Sequence, residues 1–273
     1  MAPIVYNIPT HLVGEYRGQR IIVRAADPQD LVCTLDEGYL DDVVGVQIHS
    51  MTTDGEPLST WGYSIPVELV MTNPEVEFAL LYQFAKLLDK HPMWVSIPAT
   101  EGMIKAVKLA ASLRFGIRLE VGQPSVSATV ELSKVLEFFL HNKLVSQPIQ
   151  FFQGLLVTEF NDGAETLWQI QDEDPAMIRY VTDDGVECIA RQPRNEYLAG
   201  DLGTFVEDFS TGLIDAGAEC QSCEFLKNCA GYFKWPLTEY SCDGVKVVLR
   251  SIQRAARDLK NDVAAQHQEG VGA

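Results

Sequence analysis

The sequence predicts an α/β protein, a partial (β/α) barrel or open parallel sheet, followed by a small cysteine-bearing module with a β-hairpin and helices. Three observations carry that expectation. From residue 66 onward, short apolar runs alternate with amphipathic helical patterns, as parallel βα units require. After residue 160 this rhythm gives way to hairpin-like segments. Four of the six cysteines then crowd into residues 218–242, "AECQSCEFLKNCAGYFKWPLTEYSC".

Taken in chain order, "RIIVRA" (20–25) and "VGVQIH" (44–49) read as short strands, with weak signals between them over 31–43. "PVELVM" (66–71) is a compact apolar strand. Asn73-Pro74 then opens a helix over 74–90, Asn capping and Pro occupying the first helical position. Phe78, Leu81, Phe84, Leu87 and Leu88 give that helix its apolar stripe. "MWVSIPA" (93–99) and "GIRLEV" (116–121) are strands flanking a helix at 101–114. A further helix spans 127–142, with Val130, Val135, Leu136 and Phe139 as its expected core positions. Residues 148–160 read as extended apolar chain, and both "ETLWQIQ" and 177–190 as hairpin material, the turn supplied by Asp184-Gly185. Helices are expected at 202–216 and 244–266, the last residues, "HQEGVGA", fraying. The expected boundary lies near residue 163, dividing an α/β domain (1–163) from the cysteine domain (164–273).

Composition narrows the function classes. The 273-residue chain is 47% hydrophobic, enough for a full core. Its 38 acidic and 21 basic residues give a net charge of −17, which repels nucleic acid and anionic lipid and suits a basic partner or simple solubility. No apolar run is long enough to span a bilayer, and the N-terminus lacks a signal-peptide pattern, so the expected compartment is the cytoplasm. There, clustered thiols point to metal or redox work rather than disulfides. No phosphate-binding glycine motif occurs.

The cluster spacing is Cys220-x2-Cys223-x5-Cys229-x12-Cys242. Two residues between the first pair let both thiolates turn toward one metal centre. Four thiolates suit a structural zinc or a [4Fe–4S] cube. A zinc ribbon normally repeats the C-x2-C hook, whereas Cys229 and Cys242 stand singly, which tilts the choice toward iron–sulfur.

From Gly185 to Gly231, through the Asp-Gly hairpin, "YLAGDL" and C-x2-C-x5-C-x-G, the chain resembles the SPASM domain of radical SAM peptide- and protein-modifying enzymes. The resemblance implies one auxiliary [4Fe–4S] cluster held by Cys220, Cys223, Cys229 and Cys242, and a degenerate radical-SAM-like barrel over 1–163. It also exposes departures. Phe233 and Ala190 stand where the family carries cysteines of another auxiliary cluster, leaving Cys188 a half-buried strand thiol. The catalytic C-x3-C-x2-C motif is missing, since only Cys33 precedes Cys188. The chain is therefore expected not to be a self-sufficient radical SAM enzyme. The resemblance implies an accessory iron–sulfur subunit in peptide or protein maturation, binding a partner enzyme or peptide substrate, with a structural or electron-transferring cluster. The alternatives are an enzyme using the cluster or an added metal, and a structural-zinc binding module.

Other residues carry weaker signals. His49, beside Ser50 at a strand end, reads as a locally satisfied polar residue, and His91 as a helix-end histidine favoured by the dipole. His11, His141 and His267 form no constellation. Glu173, Asp174, Asp183 and Asp184 read as a solvated acidic patch. In "GYFKWP", Tyr232, Phe233 and Trp235 read as packing beneath the cluster, with shielding of the metal or peptide binding as functional alternatives.

Overall fold

Single polar residues punctuate otherwise apolar strands, and the fold follows from where that alternation points. The computed structural model describes residues 3–35, 37–191 and 201–270. Its strands are β1 (Val5–Pro9), β2 (Arg20–Ala25), β3 (Val43–Ile48), β4 (Val67–Val70), β5 (Met93–Pro98), β6 (Gly116–Glu120), β7 (Ile178–Val181) and β8 (Glu187–Cys188). The helices are α1 (Pro28–Thr34), α2 (Pro74–Glu77), α3 (Met103–Ser112), α4 (Val126–His141), α5 (Gln150–Phe160), α6 (Leu167–Ile170), α7 (Phe205–Asp215), α8 (Leu226–Cys229) and α9 (Asp243–Gly270).

The strands form one eight-stranded sheet in the order β6-β5-β4-β3-β2-β1-β7-β8. Neighbours from β6 through to β7 are parallel, and only β8 runs antiparallel, against β7. The expected parallel α/β sheet is thus present, and residues before 66 complete it rather than forming a separate layer. Both segments expected as strands there are strands, and β1 adds one that the sequence pattern did not reveal.

Period-two alternation sorts the two faces. Ile8, Val23, Val46, Ile48, Val67, Leu69, Val95, Ile97, Ile117 and Leu119 are all essentially inaccessible and form the core under the helices. The intervening residues Asn7, Arg24, Gln47, Glu68, Ser96 and Arg118 face the other way and join side chain to side chain. Asn7 donates to Gln47 (3.0 Å), and Gln47 donates to Glu68 (2.8 Å). Ser96 donates to the other oxygen of Glu68, and Arg118 Nε lies 2.9 Å from that same oxygen. Because Arg118 Nε nevertheless lacks a well-aligned acceptor, this contact is an ion pair rather than a hydrogen bond. Arg118 also pairs with Asp172 (2.5 Å), while Arg24 donates to the Asn7 backbone and side-chain oxygens. A polar belt therefore crosses the sheet from β1 to β6.

Several local expectations are corrected. Residues 148–160 are not extended: only Ile149 bridges to β6, and α5 follows. Phe151, Phe152, Leu155 and Thr158 recur at helical spacing, and α5 is apolar on several sides because it packs against both β6 and α9. "ETLWQIQ" is likewise helical, with Thr166 and Gln169 forming a capping box at the start of α6. Hairpin pairing is confined to β7 and β8. The segment 31–43 contains most of α1, capped by the Asp27 carboxylate. Beyond α2, the expected long helix continues as a 3-10 helix over Phe78–Asp89, burying Leu81, Phe84 and Leu87. On α4, Val135 and Leu136 are buried as expected, but Val130 is exposed and Leu132 takes its place. His91 does stand at the end of that helix, its N–H bonding the Leu87 carbonyl, but its ring is buried between the carbonyls of Ile65 and Leu58, 2.9 Å from each, and is held by them.

Glu68 is the hub of the belt, so Glu68→Ala strands Arg118, Ser96 and Gln47. We expect about 3 kcal/mol lost in urea unfolding, against a far smaller loss for an exposed acid such as Glu137→Ala.

Candidate functional site

The thiol site begins with a change in the chain's direction. Cys220 lies in a 3-10 turn (Glu219–Ser222), Cys223 follows it, and Cys229 ends α8. Ala230 (φ 46°) and Gly231 (φ 77°) then reverse the chain in left-handed conformations. Glycine is required at 231 for a second reason: a Cβ there would meet Leu213 Cδ1 at 2.7 Å. Cys242 immediately precedes α9, whose first turn takes a bond from Lys246 N to the Cys242 carbonyl (2.9 Å).

This geometry brings Cys220, Cys223, Cys229 and Cys242 to the wall of one small cavity, with Phe225 and Phe233 among its apolar lining. All four are free thiols. Among the described residues, no three Cys, His, Asp or Glu side chains stand ready as a metal-ion site, so the thiols surround a space rather than meet at a point. Burial pushes the Cys229 thiol up to about 11 and the Cys242 thiol up to about 12. Ligation therefore requires these thiols to give up protons. Two cations flank the cavity. Lys234 and Lys246 both pair with Glu219, and although burial alone would raise the Glu219 carboxyl, these ammonium groups hold it at about 2. Four thiol donors, apolar walls and adjacent positive charge fit an anionic thiolate-bound cluster.

The aromatic segment Tyr232–Trp235 is buried throughout, Lys234 included. Tyr232 meets Trp168 edge-on at 5.2 Å, and Trp235 meets Phe205 at 5.2 Å. Trp168 and Trp235 donate their indole N–H groups to the Ala230 and Ala190 carbonyls. Packing beneath the thiols, expected from the sequence, is what these rings do.

A second cavity, of about 540 Å³, opens at the carboxyl ends of the strands. Its walls include Arg24, Ser96, Glu120, Gln171, Tyr180 and Arg191. In parallel sheets, this end is where ligands bind. The Arg191 guanidinium packs 4.3 Å from the Tyr232 ring centre, bonds Glu173 (2.7 Å) and donates to the Trp235 carbonyl (2.8 Å). Gly122 leaves room for it, since a Cβ there would stand 3.0 Å from Arg191 Nη1. Glu120 is different: it is exposed to the cavity yet ringed by protein. Burial, reinforced by Glu68 and Glu173, raises its carboxyl to about 7.

The sequence treated these strands as apolar and missed this cavity. The available signal was one polar residue per buried strand, at positions two apart where β6 carries both Arg118 and Glu120. The acidic patch also divides. Glu173 and Asp174 are buried, whereas Asp183 and Asp184 sit exposed in the hairpin turn. His49 lies past β3 near Arg24, its pKa lowered by burial and then by that cation. Cys188 is half-buried on the cavity wall, and exposed Cys33 lies on α1. "YLAG" (197–200), part of the resemblance, lies outside the described residues.

Two solved structures share this architecture. Native anSMEcpe with bound AdoMet and Cp18Cys peptide superposes with a TM-score of 0.57 at 12% identity, covering 96% of this chain and 100% of the other. A hexahistidine-tagged form of anSMEcpe with bound AdoMet gives 0.57 and 12%, covering 95% and 96%. At this identity the likeness is one of fold, an eight-stranded, mostly parallel α/β sheet open between its edges as in a partial barrel. No family model matches the chain, and no curated protein matches it. In this barrel, the segment after β1, Thr10–Gln19, contains no cysteine.

Two outcomes test the geometry. A carboxyl with a folded-state pKa above its unfolded value binds protons more tightly when folded, so it weakens the fold as pH rises from 4.5 through about 7. Glu120→Gln should therefore melt higher than wild type at about pH 8, and the two melting temperatures should converge below pH 4.5. Gly231→Ala, forcing a side chain into a left-handed residue against Leu213, should cost about 2 kcal/mol in the same unfolding assay.

Proposed function

We propose that the chain is an accessory iron–sulfur protein of peptide or protein maturation, without radical SAM catalysis of its own. It holds one [4Fe–4S] cluster on Cys220, Cys223, Cys229 and Cys242. The observation that carries this reading is the convergence of those four thiols, distant in sequence by up to 22 positions, on one apolar cavity. A bound cluster supplies either a structural tie or a one-electron relay. The chain's own residues have defined parts in holding it. Lys234 and Lys246 offset negative charge at the thiolates, and Glu219 fixes both ammonium groups. Phe225 and Phe233 limit access of water.

The missing cysteines after β1 support a non-catalytic role, because a radical SAM enzyme needs three thiolates in that loop and an open iron for AdoMet. Retention of the barrel with its cavity at the carboxyl ends supports a binding role. The related fold of anSMEcpe holds a peptide as well as AdoMet, which supports a peptide or a protein segment as the partner. The chain's net charge of −17 favours a basic one.

Anaerobically purified protein should be brown, with broad absorption near roughly 400 nm and about four iron and four sulfide per chain. Cys229→Ala and Cys242→Ala should each abolish this content. Colourless protein carrying one zinc would overturn the cluster assignment, and an undiminished cluster in Cys242→Ala would leave one iron open and favour an enzyme.

A further inference from the structure

The cavity at the carboxyl ends of the strands contains charge that the protein itself leaves unbalanced. The charge of Arg118 is paired with Glu68 and Asp172, and that of Arg191 with Glu173. Among the described residues, Glu120 has no basic side chain within ion-pair distance. It extends from the end of β6, two residues beyond Arg118 and on the same face, and it lines the cavity. Its neighbours make matters worse for an isolated anion: Glu68 from β4 and Glu173 beyond α6 repel it, and only Arg118 and the Ser96 hydroxyl oppose them. Tyr180 from β7 stands on the same cavity wall, its hydroxyl held un-ionised by burial.

A second, independent observation lies beside it. Gln171, 4% exposed, accepts from Val121 N (3.0 Å) and from the Tyr232 hydroxyl (3.4 Å) through Oε1. Those two donors fix the orientation of the amide. Its Nε2 is therefore aimed elsewhere, buried and without an acceptor, and Arg191 Nη2 is in the same condition. Both residues line the same cavity as Glu120. Leaving such donors unmade is costly; both atoms are closed to solvent, so a ligand oxygen recovers that cost once a turn of the side chain brings the N–H to the cavity. The site thus asks for two things together: a cation against Glu120 and a carbonyl-type oxygen against Gln171 and Arg191.

We propose that this cavity binds a peptide segment through a lysine or arginine side chain, the cationic head pairing with Glu120 and a backbone carbonyl accepting from Gln171 Nε2. A peptide supplies both groups within one residue. Arg24, on β2 and already donating to Asn7 and Val181, leaves its charge at another wall of the cavity, which excludes a second cation there and suits a further carbonyl. The proposal specifies the peptide class for the binding role proposed above and does not depend on what the four thiols hold.

The test uses full-length protein and three blocked amino acids as probes: Nα-acetyl-lysine methylamide, its norleucine isostere and its glutamate counterpart. Binding is followed by NMR titration at about pH 8, where Glu120 is ionised. The lysine probe should bind roughly tenfold more tightly than norleucine, and the glutamate probe more weakly than either. Glu120→Gln, which keeps the shape, should erase the lysine preference while leaving norleucine binding unchanged. Gln171→Leu should weaken both lysine and norleucine probes. The lysine preference should also fade as pH falls below about 7. Equal binding of lysine and norleucine, a lysine preference surviving Glu120→Gln, or no binding of any probe would overturn the proposal. Iron and sulfide content measured on the same samples separates this outcome from the cluster assignment, because no cysteine ligand is altered.

Discussion

The carboxylate of Glu68 is the contact on which the inner face of the sheet depends. It sits on the fourth of eight strands and accepts from β3 through Gln47 and from β5 through Ser96, while pairing with Arg118 on β6. Desolvating so many polar groups would ordinarily be unfavourable, and it is tolerated here because almost every lone pair and proton finds a partner. Burial alone would disfavour the charge on Arg118, and Glu68 and Asp172 reverse that and raise its pKa. An apolar inner face would have collapsed inward. The polar belt instead keeps the concave side open while Val, Ile and Leu on the other face supply the hydrophobic stabilisation.

The thiol cavity and the strand-end cavity are neighbours through one short stretch of chain. Cys229 faces the thiols, and three residues later Tyr232 lies under the Arg191 guanidinium and donates to Gln171. Gln123 ties this stretch to the end of β6 by donating to the Phe233 and Leu237 carbonyls. The left-handed pair Ala230–Gly231 is what lets the chain face one cavity and then the other.

Much of this architecture was legible in the sequence, and the failures are instructive. Strands β2 to β6 were readable because their apolar runs are short, β-branched and set between turn signals and amphipathic helical patterns. The x2 spacing of Cys220 and Cys223, with Cys229 and Cys242 nearby, was enough to nominate the four residues that line the thiol cavity. Residues 150–160 were misread because a helix buried between the sheet edge and α9 loses the polar face that marks helical period. Glu120, Gln171 and Arg191 were invisible for another reason. They sit in three separate segments, and only the folding of β6 toward the chain after α6 and after β8 makes them a group.

The sheet stays open between its edge strands, β6 and β8. Among the described residues no backbone pairing joins β6 to β7 or β8, and β6 is tied instead to the chain just after α6, by Arg118 to Asp172 and by Val121 to Gln171. A seam made of side chains behaves as a clasp rather than a weld: parting it breaks a few polar contacts and leaves every strand pair intact.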